Sequence, residues 1–360
     1  MTQAQENMSA KSANISPHFV RGLDSFRFIA ATVVAAGHGA WIPFNKLFGE
    51  THRPIKLLAG IWDSVPNGIL AVSVFFFISG FCIHYPNIGK SNLPIGSFLI
   101  KRFFRIGIPL LVIIAAAHAS GPQYVGALDS VLWSVYCELA YYALYPFLFP
   151  MLRGRLQYAS ALSGCISITL LVAYPQTARP MNFGAFTFLF CAPMWLLGAV
   201  LAERYRSGAI FTERLPSVWL LRSTLPICAV LSIFLFYHAP IQVPLTWSVV
   251  AFVPIGYIWL KKELQRLTSH RTTGILEHFG KASYSMYLVH RFPLTFFSTH
   301  LIFKSPFAVY SLQAAAIAIS TYGFFKLIEE PSHSLAKRLG RTWDSALIGG
   351  VARAQERHLP

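Results

Sequence analysis

The chain has 360 residues, of which 54% are hydrophobic and only 12% charged, and its formal net charge is +16. A soluble chain carries about 25% charged residues, so a water-facing globule is excluded: too few charges remain to solvate its outside. Lipid is the natural solvent for this surface, and the 30 Phe, 8 Trp and 15 Tyr suit membrane interfaces and packed membrane helices.

A spanning helix needs about 20 mostly apolar residues. In chain order, spans are expected over 25–44, 66–86, 101–119, 131–150, 157–175, 183–202, 217–237, 242–260, 282–301 and 308–328. The fold class is therefore all-α, a polytopic transmembrane bundle of about ten helices. Arg102, Arg105 and Gly107 thin the start of the third span, and a short loop is expected from Ser120 to Ser130. With ten spans, 24 of the 30 Lys and Arg fall on the side that carries both termini. Positive charge marks the cytoplasmic side, which places both termini in the cytoplasm. The net charge is then explained by topology, and no nucleic acid partner is expected. A basic cytoplasmic face also suits an anionic cosubstrate.

Residues 1–20 are polar and lack an apolar run, so no cleavable signal peptide is expected there. They form a cytoplasmic N-terminal segment. Residues 21–335 form one transmembrane domain, and 336–360 a loose basic cytoplasmic tail. All five cysteines (Cys82, Cys137, Cys165, Cys191, Cys228) lie within apolar spans without a CxxC pair, which assigns them to core packing. No cluster of His, Asp, Glu and Cys has metal-ligand spacing, so no metal is expected.

An ionisable group within a span costs at least about 2.5 kcal/mol, so each is a functional candidate. His38 lies in span 1, Glu138 in span 4, His290 and Arg291 in span 9, and Glu329 and Glu330 close span 10. At 1.5 Å per residue, His38 and Glu138 lie at similar depths, roughly 9 and 10 Å from the outer ends of their helices. If they meet, the carboxylate orients the imidazole and raises its basicity; otherwise each serves helix packing. Arg102 and Arg105 share a helix face, and Arg21, Asp24 and Arg27 repeat every three residues at the start of span 1. These arginines are either topology markers that snorkel to the interface or a phosphate-binding rim. Glu329 reaches the same boundary and could pair with one of them. Ser79-Gly80 follows Phe75-Phe76-Phe77, and such small residues permit close helix approach or a substrate contact.

These residues also fall into a recognisable order. RGLDSFR (21–27) precedes a membrane histidine, His38, by eleven residues. FFFISGF (75–81), KRFFRIGIP (101–109), LWSVYCELAYYALYP (132–146), FGKASYSMYLVH (279–290) and LIEEP (327–331) follow. Together they resemble the acyltransferase 3 family of integral-membrane O-acyltransferases. Three departures stand out. Pro109 falls four residues after Arg105, Glu330 takes a place where a basic residue is common, and the stretch before Trp133 is short. That last departure leads us to expect a missing or rearranged helix there.

The resemblance implies transfer of an acyl group, often acetyl, from cytoplasmic acyl-CoA to a hydroxyl of a glycan or glycolipid. It also implies a bacterial inner-membrane location and no bound cofactor. Arg102, Arg105 and Arg27 would hold the CoA phosphates. His38 would be the general base, or carry a transient acyl group, with Glu138 orienting it. Ser79, Trp133, Ser134, Tyr287 and His290 would contact donor or acceptor, and Arg21, Asp24 and Glu329 would be charge partners. Two other readings of the same buried polar groups are a secondary transporter and a non-catalytic assembly protein.

Overall fold

The computed structural model describes residues 20–49, 53–174, 183–237, 239–268, 274–300 and 305–356. The expected N-terminal segment, apart from Val20, lies outside these residues, as do the basic residues Lys11, Arg179, Arg271, Lys304 and Arg357. The described residues are mainly helical, with no strand among them.

Sixteen α-helices follow in order. The first six are α1 (Leu23–Ala35), α2 (Phe44–Phe48), α3 (Arg53–Ser64), α4 (Gly68–His84), α5 (Ile95–Arg102) and α6 (Ile108–Ser120). Next come α7 (Pro122–Leu152), α8 (Leu156–Ala173), α9 (Thr187–Arg206), α10 (Val218–Tyr237) and α11 (Leu245–Leu267). The last five are α12 (Gly274–Gly280), α13 (Ser283–Val289), α14 (Arg291–His300), α15 (Pro306–Phe324) and α16 (Glu330–Glu356). Three π turns interrupt this series, at Ala36–Ala40, Phe103–Gly107 and Phe325–Glu329.

Among the described residues, five helical stretches are long and apolar enough to cross a bilayer: Ile55–Asn87, Leu156–Ala173, Gly184–Arg206, Val218–Tyr237 and Pro306–Ser345. The outer faces of α8, α10 and α15 expose Leu162, Val172, Ile227 and Ile319, as an integral membrane protein in contact with lipid requires. The other segments with expected spans are broken or more polar. α1 is 13 residues long before its π turn, and the ninth span divides at His290 into α13 and α14.

The bundle is held at backbone contact where α4 meets α9. A Cβ on Gly80 would lie 1.8 Å from the Trp195 carbonyl oxygen, and one on Gly198 would lie 2.0 Å from that of Phe77. Only glycine permits such approach, so Gly80 serves packing as the small-residue pattern suggested. At the opposite end of α4, Asn67 accepts from Leu70 N–H as an N-cap and donates to Ser232 Oγ on α10 at 2.7 Å.

Two expectations are corrected. There is no loop over 122–130. Gly121, at φ +118°, makes the whole turn, and Pro122 opens α7 directly. Proline at the first helical position removes an N–H that has no partner anyway. The short stretch is thus a tight helical hairpin of α6 and α7. Nor is the chain from Arg338 to Asp344 loose. α16 continues through it and docks on α5: Trp343 covers Gly96, Lys101 Nζ meets Asp344 Oδ2 at 3.2 Å, and Ser332 Oγ donates to the Phe104 carbonyl. The positive composition of the tail signalled solvation, but the apolar face carrying Trp343 decided otherwise.

Candidate active site

A cavity of about 70 Å³ opens between α1, α4, α7, α13 and the end of α5. Its polar lining is three guanidinium groups (Arg27, Arg102, Arg105), one carboxylate (Glu138), the hydroxyls of Ser79, Ser134, Tyr142, Tyr284 and Tyr287, and the Cys82 thiol. Cys82 and Cys165 are exposed, which corrects their assignment to the core; Cys137 and Cys191 are buried.

Glu138 is fixed on two sides. Ser79 Oγ donates to Glu138 Oε1 at 2.7 Å, and Tyr142, one turn along α7, donates to the same oxygen. Trp195 Nε1 donates to Ser79 Oγ at 3.3 Å. The FFFISGF segment therefore does two jobs at adjacent residues: Gly80 admits α9, and Ser79 turns to the cavity. Tyr142 was legible in the sequence, because it follows Glu138 by four residues and so shares its helix face. Tyr141 instead donates to the Phe188 carbonyl at 2.6 Å.

The arginines differ in their partners. Arg27 meets Asp24 at 3.4 Å. The Arg102 guanidinium lies 5.5 Å from the Phe98 ring centroid and 5.7 Å from that of Tyr142, and its buried Nε has no hydrogen-bond partner. Among the described residues, neither Arg102 nor Arg105 has a carboxylate within 4.0 Å. Uncompensated cations lining a cavity, one with an idle donor, are arranged for an anion. Glu329 pairs with none of these arginines. It is buried, and it accepts from Ser285 N–H at 3.0 Å and Ser285 Oγ at 2.5 Å. Asp24 is the charge partner of Arg27, whereas Arg21 is exposed and outside the cavity.

His38 and Glu138 have separate partners, so the structure does not form the dyad considered from their depths. His38 sits on the first π turn between Gly37 and Gly39. A Cβ on Gly37 would lie 2.7 Å from the Pro66 carbonyl oxygen, and Gly39 has φ +119°, where side chains are strained. The two glycines set the ring's place, and His38 Nδ1 lies 3.1 Å from His290 Nε2. Arg291 Nη1 donates to the His38 carbonyl at 3.2 Å, and its Nε to that of Ala127 at 3.1 Å. This histidine pair stands just beyond the cavity wall. Tyr287 lines the cavity and contacts the His290 ring at 6.1 Å between centroids. The Tyr287 hydroxyl donates to the Val131 carbonyl at 2.9 Å and lies 2.6 Å from Ser134 Oγ. Trp133 is not part of the lining; it packs on Phe76.

Each π turn carries a residue singled out in the sequence: His38, Arg105 or Glu329. π turns are rare and concentrate at functional sites. The second is held by Tyr284, whose hydroxyl donates to the Ile106 carbonyl at 2.9 Å. Glu277 was missed in the sequence. It accepts from Gly22 N–H at 2.8 Å and from the Ser25 amide and hydroxyl, so it caps the start of α1 from 255 residues away. No local pattern could have revealed it. Among the described residues no group of His, Cys, Asp and Glu could hold a metal ion.

A family model described as an acyltransferase domain matches residues 20–326, from just before Arg21 to just before the LIEEP segment. No curated protein and no solved structure matches the chain.

Proposed function

The chain belongs to this acyltransferase family, and from that premise we propose that it moves an acyl group, acetyl in the simplest case, from cytoplasmic acyl-CoA to a hydroxyl of a cell-surface or exported glycan. The observation that carries this reading is the cavity itself. It brings Arg102 and Arg105, which lack carboxylate partners, into one passage with several hydroxyls and Glu138. Phosphate and pyrophosphate groups are natural partners for such arginines. The thin pantetheine arm would follow the passage inward and bring the thioester toward Tyr287 and the histidine pair. The carboxylate of Glu138 would face the arm, held by Ser79 and Tyr142.

In this reading the bundle crosses a bacterial inner membrane about ten times with both termini in the cytoplasm. The basic side then faces the donor pool, and the acceptor approaches from the outer side. His38 acts as general base. The acceptor hydroxyl oxygen bonds to the thioester carbonyl carbon as its proton passes to His38. The C–S bond breaks, and the leaving thiolate takes the proton back. Proton removal of this kind contributes about 10²–10⁴-fold.

The test is transfer of label from radiolabelled acetyl-CoA to an acceptor glycan by the purified chain. Transfer is expected with the wild type. His38→Ala should lose at least about 10²-fold while keeping its elution profile and helical content. Full activity in His38→Ala would remove the mechanism, and no transfer across a panel of donors and glycans would remove the assignment.

A further inference from the structure

The hydrogen bonds around the histidine pair form a directed chain. His290 is fully buried. Its Nδ1 faces two backbone carbonyl oxygens, Tyr287 at 2.8 Å and Met286 at 3.2 Å. Carbonyl oxygens only accept, so His290 Nδ1 carries the hydrogen. In a neutral imidazole the other nitrogen then bears a lone pair, so His290 Nε2 is an acceptor. Its partner at 3.1 Å is His38 Nδ1, which must therefore carry the hydrogen in its turn. The consequence falls on the far side of the second ring: His38 Nε2 is left with a lone pair and no proton.

Neutral rings are the arrangement this site supports. Among the described residues, no carboxylate lies within 4.0 Å of His38 or His290. The nearest charged group on the pair is a cation, Arg291, bonded to the His38 carbonyl. Positive charges at this distance repel strongly where little water intervenes. The two rings are stacked, with centroids 5.2 Å apart and planes at 29°. The Gly37–Gly39 backbone and Arg291 hold the His38 main chain, and the His38 ring also meets the Val34 backbone.

We propose that His290 is a positioning residue that fixes His38 as the Nδ1–H tautomer and so reserves His38 Nε2 for the acceptor hydroxyl. This rests on His38 being the general base. The buried imidazole does the orienting work for which carboxylates are used elsewhere, here through a lone pair and not through a charge. A backbone carbonyl at the far end anchors the tautomer of the whole chain, in the way an outer hydrogen bond decides which ring nitrogen is available. Glu138, with its own two donors, is released from that role.

Two substitutions separate this role from simple packing. The amide end of a glutamine overlies histidine Nε2, so His290→Gln keeps an acceptor for His38 Nδ1–H. An asparagine overlies Nδ1, so His290→Asn keeps the bond to the Tyr287 carbonyl but does not reach His38. With radiolabelled acetyl-CoA as donor, His290→Gln is expected to stay within about fivefold of wild-type kcat. His290→Asn and His290→Ala should lose about 10²-fold or more in kcat, with the apparent KM for acetyl-CoA unchanged within about twofold. Equal activity of the Gln and Asn variants, or a wild-type kcat in His290→Ala, would overturn the proposal. A second readout does not need turnover. In protein labelled with ¹⁵N-histidine, the signals lost in His38→Gln should report a protonated Nδ1 and an unprotonated Nε2. The opposite tautomer would also overturn it. A fully active His38→Ala would instead sink the reading of His38 as base, while a spectrum with the stated tautomer would leave the geometry standing.

Discussion

Two cation-rich regions lie at the same end of the bundle and are built on opposite plans. At the ends of α9 and α11, four cations meet carboxylates within the protein. Arg204 and Lys261 share Glu213, and Glu263 takes Arg222 through a paired contact at 2.5 and 3.0 Å, with Arg266 at 4.0 Å. Around the cavity, Arg102 lies over two aromatic rings, and neither Arg102 nor Arg105 has a carboxylate within 4.0 Å among the described residues. The two regions are close: His84, at the end of α4, meets Glu203 beside Arg204, and Cys82 two residues before it lines the cavity. The difference teaches that the first cluster ties helices together, while the second keeps its charge for something that arrives.

The sharpest way to break that comparison is Glu263→Ala. Glu263 is fully buried, and removing it strands Arg222, which should cost about 3 kcal/mol of stability. The thermal midpoint in detergent should fall while the apparent KM for acetyl-CoA in surviving protein holds. An unchanged midpoint would show that the first cluster is not structural. Arg102→Ala should do the reverse. The loss of a charge-assisted contact to phosphate is worth about tenfold or more in apparent KM for acyl-CoA, with the midpoint unmoved. A lowered midpoint with constant KM would assign Arg102 to the scaffold. Glu213→Gln is milder, because Glu213 is about one-third exposed and such pairs contribute below about 1 kcal/mol. A loss as large as that of Glu263→Ala would put both carboxylates in one buried network. The smallest effect is that of salt. Raising ionic strength from 0.05 to 0.5 M should raise the KM for acyl-CoA by about two- to threefold by screening and leave the midpoint almost constant. A salt-independent KM would argue that phosphates do not meet these arginines.

The sequence made the membrane class legible because apolar content and charge scarcity are summed properties that no tertiary detail can reverse. It also singled out Ser79, Glu138, Arg102 and Arg105 one by one, since ionisable and small residues are conspicuous against an apolar span, but it did not show that they line one cavity. It misassigned Cys82, the 120–130 stretch and the tail for a common reason: each depends on which face of a helix meets which neighbour. Cys82 is as apolar as a core residue but faces the cavity. Residues 122–130 are polar enough for a loop but extend α7. The tail is basic enough for solvent but carries Trp343 on the face that covers Gly96.

What the sequence alone determined is the inventory: a helical membrane protein of the acyltransferase family, its costly groups His38, Glu138, His290 and the paired arginines, and the glycines that allow close approach. Which of these groups meet was settled by how the helices pack. Helical periodicity fixes a residue's direction around its own axis, but not the crossing angle or the offset of the next helix. The three π turns shift that direction further, by inserting an extra residue where no local pattern announces one. That is why two groups at equal depth, His38 and Glu138, found different partners, and why His290, 252 residues from His38, came to hold it.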